Sequence, residues 1–185
     1  MSLNLEEIKR AREEADCLAD AATVEAALDR MAAEISARLA DANPLVYAVM
    51  NGGLILAGRI LPRLPFPLEV AYLHASRYGH ALQGTLLDWR VRPTQDLRGR
   101  TVLVLDDILD EGHTLAAIID YLKAEGAGEV LSAVLVHKAH DRKAYPGMRA
   151  DFTGLDIADR FLFGCGMDYK GYWRNAPGIY AVKGL

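Results

Sequence analysis

The chain has 185 residues, enough for one domain with a sizeable hydrophobic core. Its formal net charge of −4 argues against a nucleic-acid-binding protein, which needs a basic face. The two cysteines lack metal-ligand spacing, and no apolar run is long enough to cross a membrane. The acidic amino terminus is unlike a signal peptide, so we expect a cytoplasmic protein without a membrane span.

Two helices are predicted for the amino-terminal segment, residues 1–41. The first has an apolar stripe at helical spacing, formed by Leu5, Ile8, Ala11, Ala15 and Leu18. Thr23 is a suitable N-cap for the second, whose stripe comprises Val24, Leu28, Met31, Ile35 and Leu39. Neither helix carries catalytic groups, so we expect the segment to serve packing or subunit contact.

Strands and helices alternate along the next part of the chain, residues 42–138. Apolar runs predict four buried strands, at 45–50, 68–73, 101–106 and 129–137. Helical patterns lie between them, at 54–61 and 114–125. Residues 75–97 carry glycines and charges with little periodicity, which indicates a long loop or a twisted hairpin that serves as a functional lid.

This alternation predicts an α/β fold, with a mostly parallel twisted sheet, helices on both faces and right-handed crossovers. Residues 139–185 are richer in aromatic residues and glycine and predict a small carboxy-terminal lobe, here called the hood. We expect a single domain made of the helical segment 1–41, the core 42–138 and the hood.

Residues 101–114 carry the strongest functional signal. Asp106 and Asp107 stand where a buried strand should end, Asp110 follows, and Gly112 precedes a helix. The free N–H groups of a helix start can hold a phosphate, and the acids can face ribose hydroxyls directly or through Mg²⁺. A solvated polar turn is the alternative, but it explains one acid near a helix start rather than three.

Further polar residues fall near the predicted carboxyl ends of other strands. Asn51 and Gly52 follow the first of these strands, and Lys138 follows the last. Ligands of parallel α/β sheets bind beyond the carboxyl ends of the strands. We therefore expect these residues to share one site with Asp106 and Asp107.

Two segments carry a resemblance to a known family. Residues 101–114 resemble the 5-phosphoribosyl-1-pyrophosphate (PRPP) signature of type I phosphoribosyltransferases, and residues 151–174 resemble the base-binding lobe of hypoxanthine–guanine phosphoribosyltransferases nearly position for position. The likeness to the latter family extends over about residues 40–180. It implies the type I fold and transfer of 5-phosphoribosyl from PRPP to N9 of hypoxanthine or guanine, giving IMP or GMP and pyrophosphate.

The resemblance implies roles for the residues of the PRPP signature. Asp106 and Asp107 would hold the ribose hydroxyls and Mg²⁺, and Asp110 would accept a proton near N7 of the purine. The 5′-phosphate would lie on the backbone from Asp110 through Glu111, Gly112, His113 and Thr114.

Four further residues match the family's pyrophosphate loop and lid. Asn51 and Gly52 correspond to the pyrophosphate loop, which in the family often holds a non-proline cis peptide, here Met50–Asn51. Arg77 and Tyr78 correspond to the start of a mobile lid.

The resemblance also implies a base pocket. Lys138 would donate to O6 of a 6-oxopurine, Phe161 would stack on its ring, and the backbone of Leu162 would read its N1 and N2 edge. Asp168 would help to hold a second Mg²⁺, and Arg174 would contact pyrophosphate.

Four residues depart from the family pattern. Glu111 replaces a small hydroxyl residue beside the phosphate, so either its carboxylate points away or PRPP binding is weakened. His113 occupies a variable position, Asn51 replaces the lysine of some members, and Asp106 replaces the commoner glutamate. These changes bear on the affinity for PRPP rather than on the reaction class.

Alternative functions remain open at this point. One is a preference for xanthine, and another is a regulatory protein that binds PRPP or nucleotides with little catalysis; a pyrimidine enzyme fits residues 151–174 poorly. Family members are homodimers or homotetramers.

Four histidines lack ligand spacing for a transition metal, namely His74, His80, His137 and His140.

Overall fold

The computed structural model describes residues 4–77 and 87–184. Within them, the α-helices are α1 (Leu5–Glu13), α2 (Ala21–Leu39), α3 (Gly53–Ile60) and α4 (His113–Ala124), and a 3₁₀ turn (Leu61–Arg63) follows α3. The strands are β1 (Asp16–Ala19), β2 (Leu45–Val49), β3 (Glu69–Arg77), β4 (Leu87–Val91), β5 (Thr101–Leu109), β6 (Glu129–Ala139), β7 (Phe152–Ala158), β8 (Leu162–Phe163) and β9 (Ile179–Ala181). None of the described helices combines the length and apolarity that a bilayer-spanning helix needs.

A six-stranded sheet forms the centre of the molecule, in the order β4-β3-β2-β5-β6-β7. All neighbouring strands are parallel except β3 and β4, which are antiparallel. One hydrophobic cluster packs α2 and α3 on one face, and a second packs α4 on the other. The predicted α/β fold with a mostly parallel sheet is therefore confirmed.

A separate three-stranded sheet joins both ends of the chain, because β1 pairs with β9 and β9 pairs with β8. Helix α1 packs beside it, where Trp173 Nε1 donates to the Ile8 carbonyl at 2.7 Å and the Arg12 guanidinium lies 3.7 Å from the centre of the Tyr180 ring. The hood thus contains β7, which belongs to the central sheet, as well as β8 and β9, which do not.

The amino-terminal segment differs from its sequence prediction at two points. Helix α1 ends at Glu13, and Leu18 lies in β1, so the apolar spacing that runs to Leu18 is not one helix. Pairing with the distant β9 outweighs this local pattern, as tertiary contacts often do. The N-cap of α2 is Asp20 rather than Thr23, since the Asp20 side chain accepts from the Thr23 backbone N–H at 2.8 Å.

The central strands run further than their apolar cores predict. Strand β3 continues to Arg77 and pairs with β4, in line with the predicted twisted hairpin. Strand β5 continues to Leu109, so Asp106 and Asp107 lie within it rather than after it. Strand β6 continues to Ala139 and includes Lys138.

Candidate active site

A cavity of about 540 Å³ opens beyond the carboxyl ends of β2, β5 and β6, beneath part of the hood. It brings together all the predicted site residues except two, namely Asn51, Gly52, Asp106, Asp107, Asp110, Glu111, Gly112, His113, Thr114, Lys138, Phe161, Leu162, Asp168 and Arg174. Of the two others, Arg77 ends β3, and Tyr78 lies outside the described residues.

The loop before α4 and the first turn of that helix form one wall of the cavity. Gly112 caps the helix with φ +82°, in the left-handed region, and a Cβ at this position would lie 2.5 Å from Met148 Sδ. The first N–H groups of a helix lack intrahelical acceptors, so this wall suits an anion. The Glu111 side chain is more than half exposed, and His113 Nε2 lies 3.7 Å from its carboxylate.

Asp106 and Asp107 place two carboxyl groups at the floor of the cavity. Burial and the neighbouring Asp107 carboxylate raise the pKa of Asp106, and burial raises the pKa of Asp107 despite the nearby Arg174 guanidinium. Arg174 Nη1 lies 3.8 Å from Asp107 Oδ2. When both are ionised, these two carboxylates hold more negative charge than the nearby Arg174 balances. Hard carboxylate oxygens of this kind suit a divalent cation such as Mg²⁺.

Two glycines fix the position of Asp107. A Cβ on Gly52 would lie 2.6 Å from Asp107 Oδ1 and closer still to the rest of the carboxylate. A Cβ on Gly166, whose φ is +113°, would lie 2.8 Å from Asp107 Cβ. The loop after β2 and a loop of the hood therefore both contact this side chain. The peptide bond Met50–Asn51, which leads into the first of these loops, is cis, as the family resemblance implied.

Asp110 lies at the centre of a cluster of charged and polar groups. Its Oδ2 accepts from Lys138 Nζ at 2.8 Å, and its Oδ1 lies 2.7 Å from His140 Nε2. Lys138 Nζ also lies 3.4 Å from Asp159 Oδ1. Burial acts to raise the pKa of Asp110, but the hydrogen bonds from Lys138 and His140 outweigh it, and the pKa is lowered. The group is therefore a carboxylate at neutral pH.

The sequence prediction missed His140, Asp159 and Lys143, whose Nζ donates to the carbonyl oxygens of Asp110 at 2.6 Å and Lys138 at 2.7 Å. His140 follows β6 in a tight turn, where its backbone N–H donates to the Lys138 carbonyl at 3.1 Å, and no periodic pattern in the sequence indicated its side chain. Asp159 and Lys143 are brought near Asp110 only by the turn after β6 and by β7.

The hood supplies the opposite wall. The Phe161 side chain is 46% exposed, and its ring meets Tyr169 edge-on with centroids 6.0 Å apart. Leu162 pairs with Ala181 in the three-stranded sheet. Arg174 Nη2 lies 2.5 Å from Asp168 Oδ1, so these two residues form an ion pair at the cavity edge.

Comparison with known proteins places this chain in a family. A family model described as the phosphoribosyl transferase domain matches residues 14–170. Hypoxanthine-guanine phosphoribosyltransferase of Bacillus subtilis is 30% identical over 157 residues, covering 83% of this chain and 84% of that protein. A hypoxanthine-guanine-xanthine phosphoribosyltransferase of Tritrichomonas foetus is also 30% identical over 157 residues, covering 83% of each chain.

Solved structures show the same fold. A hypoxanthine phosphoribosyltransferase of Staphylococcus aureus superposes with a TM-score of 0.84 at 21% identity, covering 91% of each chain. A hypoxanthine-guanine-xanthine phosphoribosyltransferase superposes with a TM-score of 0.80 at 26% identity, covering 91% of this chain and 96% of the other. From the family model, the relatives and the shared fold, the chain belongs to the hypoxanthine–guanine phosphoribosyltransferase family.

Proposed function

We propose that this protein transfers the 5-phosphoribosyl group of PRPP to N9 of hypoxanthine or guanine and releases IMP or GMP and pyrophosphate. The observation that supports this most strongly is that one cavity joins the helix start at Gly112, the buried acids Asp106 and Asp107, and the pair formed by Lys138 and Asp110. The helix start suits a phosphate, the two buried acids suit ribose hydroxyls, and the Lys138–Asp110 pair suits an oxopurine.

On the PRPP side, we assign the 5′-phosphate to residues 110–114 and the ribose hydroxyls to Asp106 and Asp107. Because the Glu111 carboxylate is exposed, the backbone N–H groups remain available to bind the phosphate. A protonated His113 would add positive charge there. We assign pyrophosphate to Asn51, Gly52 and Arg174. The transition state has oxocarbenium character at C1′, so cationic and N–H groups near the departing pyrophosphate lower its free energy.

The donor set fits Mg²⁺, since Asp106 and Asp107 offer carboxylate oxygens in an acidic, partly buried position. We assign these two residues, together with Asp168, as the ones that would hold it. Bound Mg²⁺ would neutralise the charge that develops on the leaving pyrophosphate. Asp168 forms an ion pair with Arg174, so it can hold Mg²⁺ only when Arg174 turns away to contact pyrophosphate.

On the base side, Lys138 donates to O6, Phe161 stacks on the ring, and the backbone of Leu162 meets the N1 and N2 edge. The N7 proton moves to Asp110 and its bonding electrons stay with the purine. The N9 lone pair then bonds to C1′, while the C1′–O bond breaks and its electrons leave with pyrophosphate. Adenine carries a donor in place of O6 and leaves the Lys138 ammonium unpaired.

A steady-state assay with PRPP and Mg²⁺ tests this proposal against four bases. We expect turnover of hypoxanthine and guanine and very little of adenine. A faster reaction with xanthine would move the substrate assignment to that base. Binding of PRPP without consumption of any base would instead support a regulatory protein.

We also propose that this protein is a homodimer or homotetramer and that it acts in the cytoplasm. Light scattering on the same sample tests the oligomeric state.

Lys138→Met tests how O6 is recognised, because methionine keeps an unbranched stem and removes the ammonium. We expect the ratio of kcat/KM for hypoxanthine to kcat/KM for adenine to fall about tenfold or more, since a charged hydrogen bond to O6 is lost. Lys123→Met, at an exposed position on α4, serves as the control and should leave the ratio unchanged. An unchanged ratio in Lys138→Met would mean that O6 is recognised by another group.

A further inference from the structure

We propose that His140 is a positioning residue for Asp110. As a neutral Nε2–H donor it holds one carboxylate oxygen in place, so that the other is presented to the purine N7 proton when Lys138 turns to O6. The inference rests on the proposed function, because it takes Asp110 as the proton acceptor.

The hydrogen bonds of His140 define its tautomer. The backbone N–H of Arg142 donates to Nδ1 at 3.1 Å, so Nδ1 is the acceptor nitrogen and the ring proton lies on Nε2. That Nε2–H then donates to Asp110 Oδ1 at 2.7 Å. The His140 side chain is only 5% exposed, so the surrounding protein holds the ring in this orientation. His140 thereby supplies a fixed donor to the Asp110 carboxylate.

The two oxygens of Asp110 have different kinds of partner. Oδ2 is held by Lys138, whose ammonium also has Asp159 within 3.4 Å and is the group assigned to O6 of the base. When Lys138 donates to O6, Oδ2 loses its donor and becomes free to accept the N7 proton. Oδ1 keeps its bond to His140, and Lys143 keeps hold of the Asp110 carbonyl oxygen, so the carboxylate stays in its orientation.

The exchange also changes the basicity of Asp110. Its Lys138 hydrogen bond lowers the pKa, so loss of that bond raises it and makes the carboxylate a better proton acceptor. The other charged groups around it are Arg142 and Lys143 from the segment after β6, Asp159 from the segment after β7, and the neighbouring Glu111. None of these four groups is assigned to hold Asp110 Oδ1; His140 is the donor that holds the carboxylate while Lys138 turns to O6.

A metal ion is a weaker interpretation of the same cluster. Asp110, His140 and Asp159 offer ligand atoms that lie within 4.8 Å of one another. The Lys138 ammonium contacts both of these acids, however, and already supplies the positive charge between them. The arrangement therefore favours a lysine and histidine pair that serves Asp110.

Two substitutions of His140 separate positioning from general packing. Leucine removes the donor, whereas glutamine returns an N–H near the place of Nε2. For His140→Leu we expect kcat for hypoxanthine at saturating PRPP to fall about 10- to 100-fold, with KM for PRPP unchanged. The acid limb of its pH profile should move to higher pH, because a carboxylate without its donor protonates more easily.

His140→Gln should regain most of the rate and bring the acid limb back towards that of the wild type. His137→Gln is the matched control, because His137 lies within β6 and is not among the described residues that line the cavity, and it should behave like the wild type. An acid limb that stays in place in His140→Leu, or a glutamine variant as impaired as the leucine variant, would overturn the inference.

A measurement that needs no turnover distinguishes this inference from the proposed function. Long-range ¹⁵N–¹H correlation of the histidine side chains in the unliganded protein should show His140 as the Nε2–H tautomer, with an Nε2–H shift that changes in Asp110→Asn. An Nδ1–H tautomer overturns the inference even if the enzyme is active. Absence of purine turnover together with the expected tautomer refutes the proposed function but leaves the His140–Asp110 contact established.

Discussion

Gly52→Ala should lower kcat/KM at least about 100-fold, although it adds a single methyl group. The backbone of Gly52 has φ −59° and ψ −51°, which alanine adopts without strain. The new Cβ would, however, lie 2.6 Å from Asp107 Oδ1, so either the carboxylate or the loop after β2 must move. Both positions are proposed to contact PRPP, and small displacements of positioned groups cost large factors in rate.

Gly58→Ala provides the control for this substitution within the same helix–loop unit. Gly58 lies inside α3, and a Cβ there would meet nothing within 4 Å. We expect unchanged kinetics and a gain of about 0.5–1 kcal/mol in the free energy of unfolding, because alanine favours a helix interior over glycine. Steady-state kinetics and denaturant unfolding check both variants. A fully active Gly52→Ala enzyme would remove Asp107 from the site as we assign it.

Asp110→Asn should lower kcat about 100- to 1,000-fold while KM for PRPP changes little, since general-base groups contribute rate factors of this size. Asparagine keeps the shape of the side chain and loses both the negative charge and the capacity to accept a proton. The single amide oxygen of asparagine can accept from only one of Lys138 and His140, so the other donor loses its partner as well.

The pH dependence of the wild type complements this substitution. The pKa of Asp110 is lowered, so the carboxylate is the dominant form at neutral pH, and activity that depends on it is lost only as the pH falls through that lowered value. Asp120→Asn, on an exposed part of α4, controls for the loss of one negative charge and should leave kcat unaltered. An Asp110→Asn enzyme with the kcat of the wild type would exclude Asp110 as the proton acceptor.

The parts of the fold that depend on local pattern were predictable from the sequence. The apolar runs of β2, β5 and β6 and the glycine before α4 are each encoded within a few residues, and their alternation leads directly to a parallel sheet. The site at its carboxyl edge followed from the same reasoning. The roles proposed for Phe161 and Arg174 came from the family resemblance, since an isolated aromatic or arginine has no local signature of its own.

What the sequence could not show depends on contacts between distant segments. Leu18 fits a helical stripe, and only pairing with β9 makes its segment a strand. Asp159 reaches Lys138 because β7 packs in parallel beside β6. The role of His140 depends on the backbone N–H of Arg142, and a turn of this kind leaves no periodic pattern.

The three-stranded sheet links residues near opposite ends of the chain, since Cys17 pairs with Tyr180. Beside it, Trp173 donates a hydrogen bond to Ile8, 165 positions earlier in the sequence. Trp173 directly precedes Arg174, which lines the cavity. An affinity tag or truncation at the amino terminus is therefore not a neutral choice for this enzyme. Recombinant versions that differ only in their first 20 residues should be compared for purine kinetics before any of them is taken as a reference.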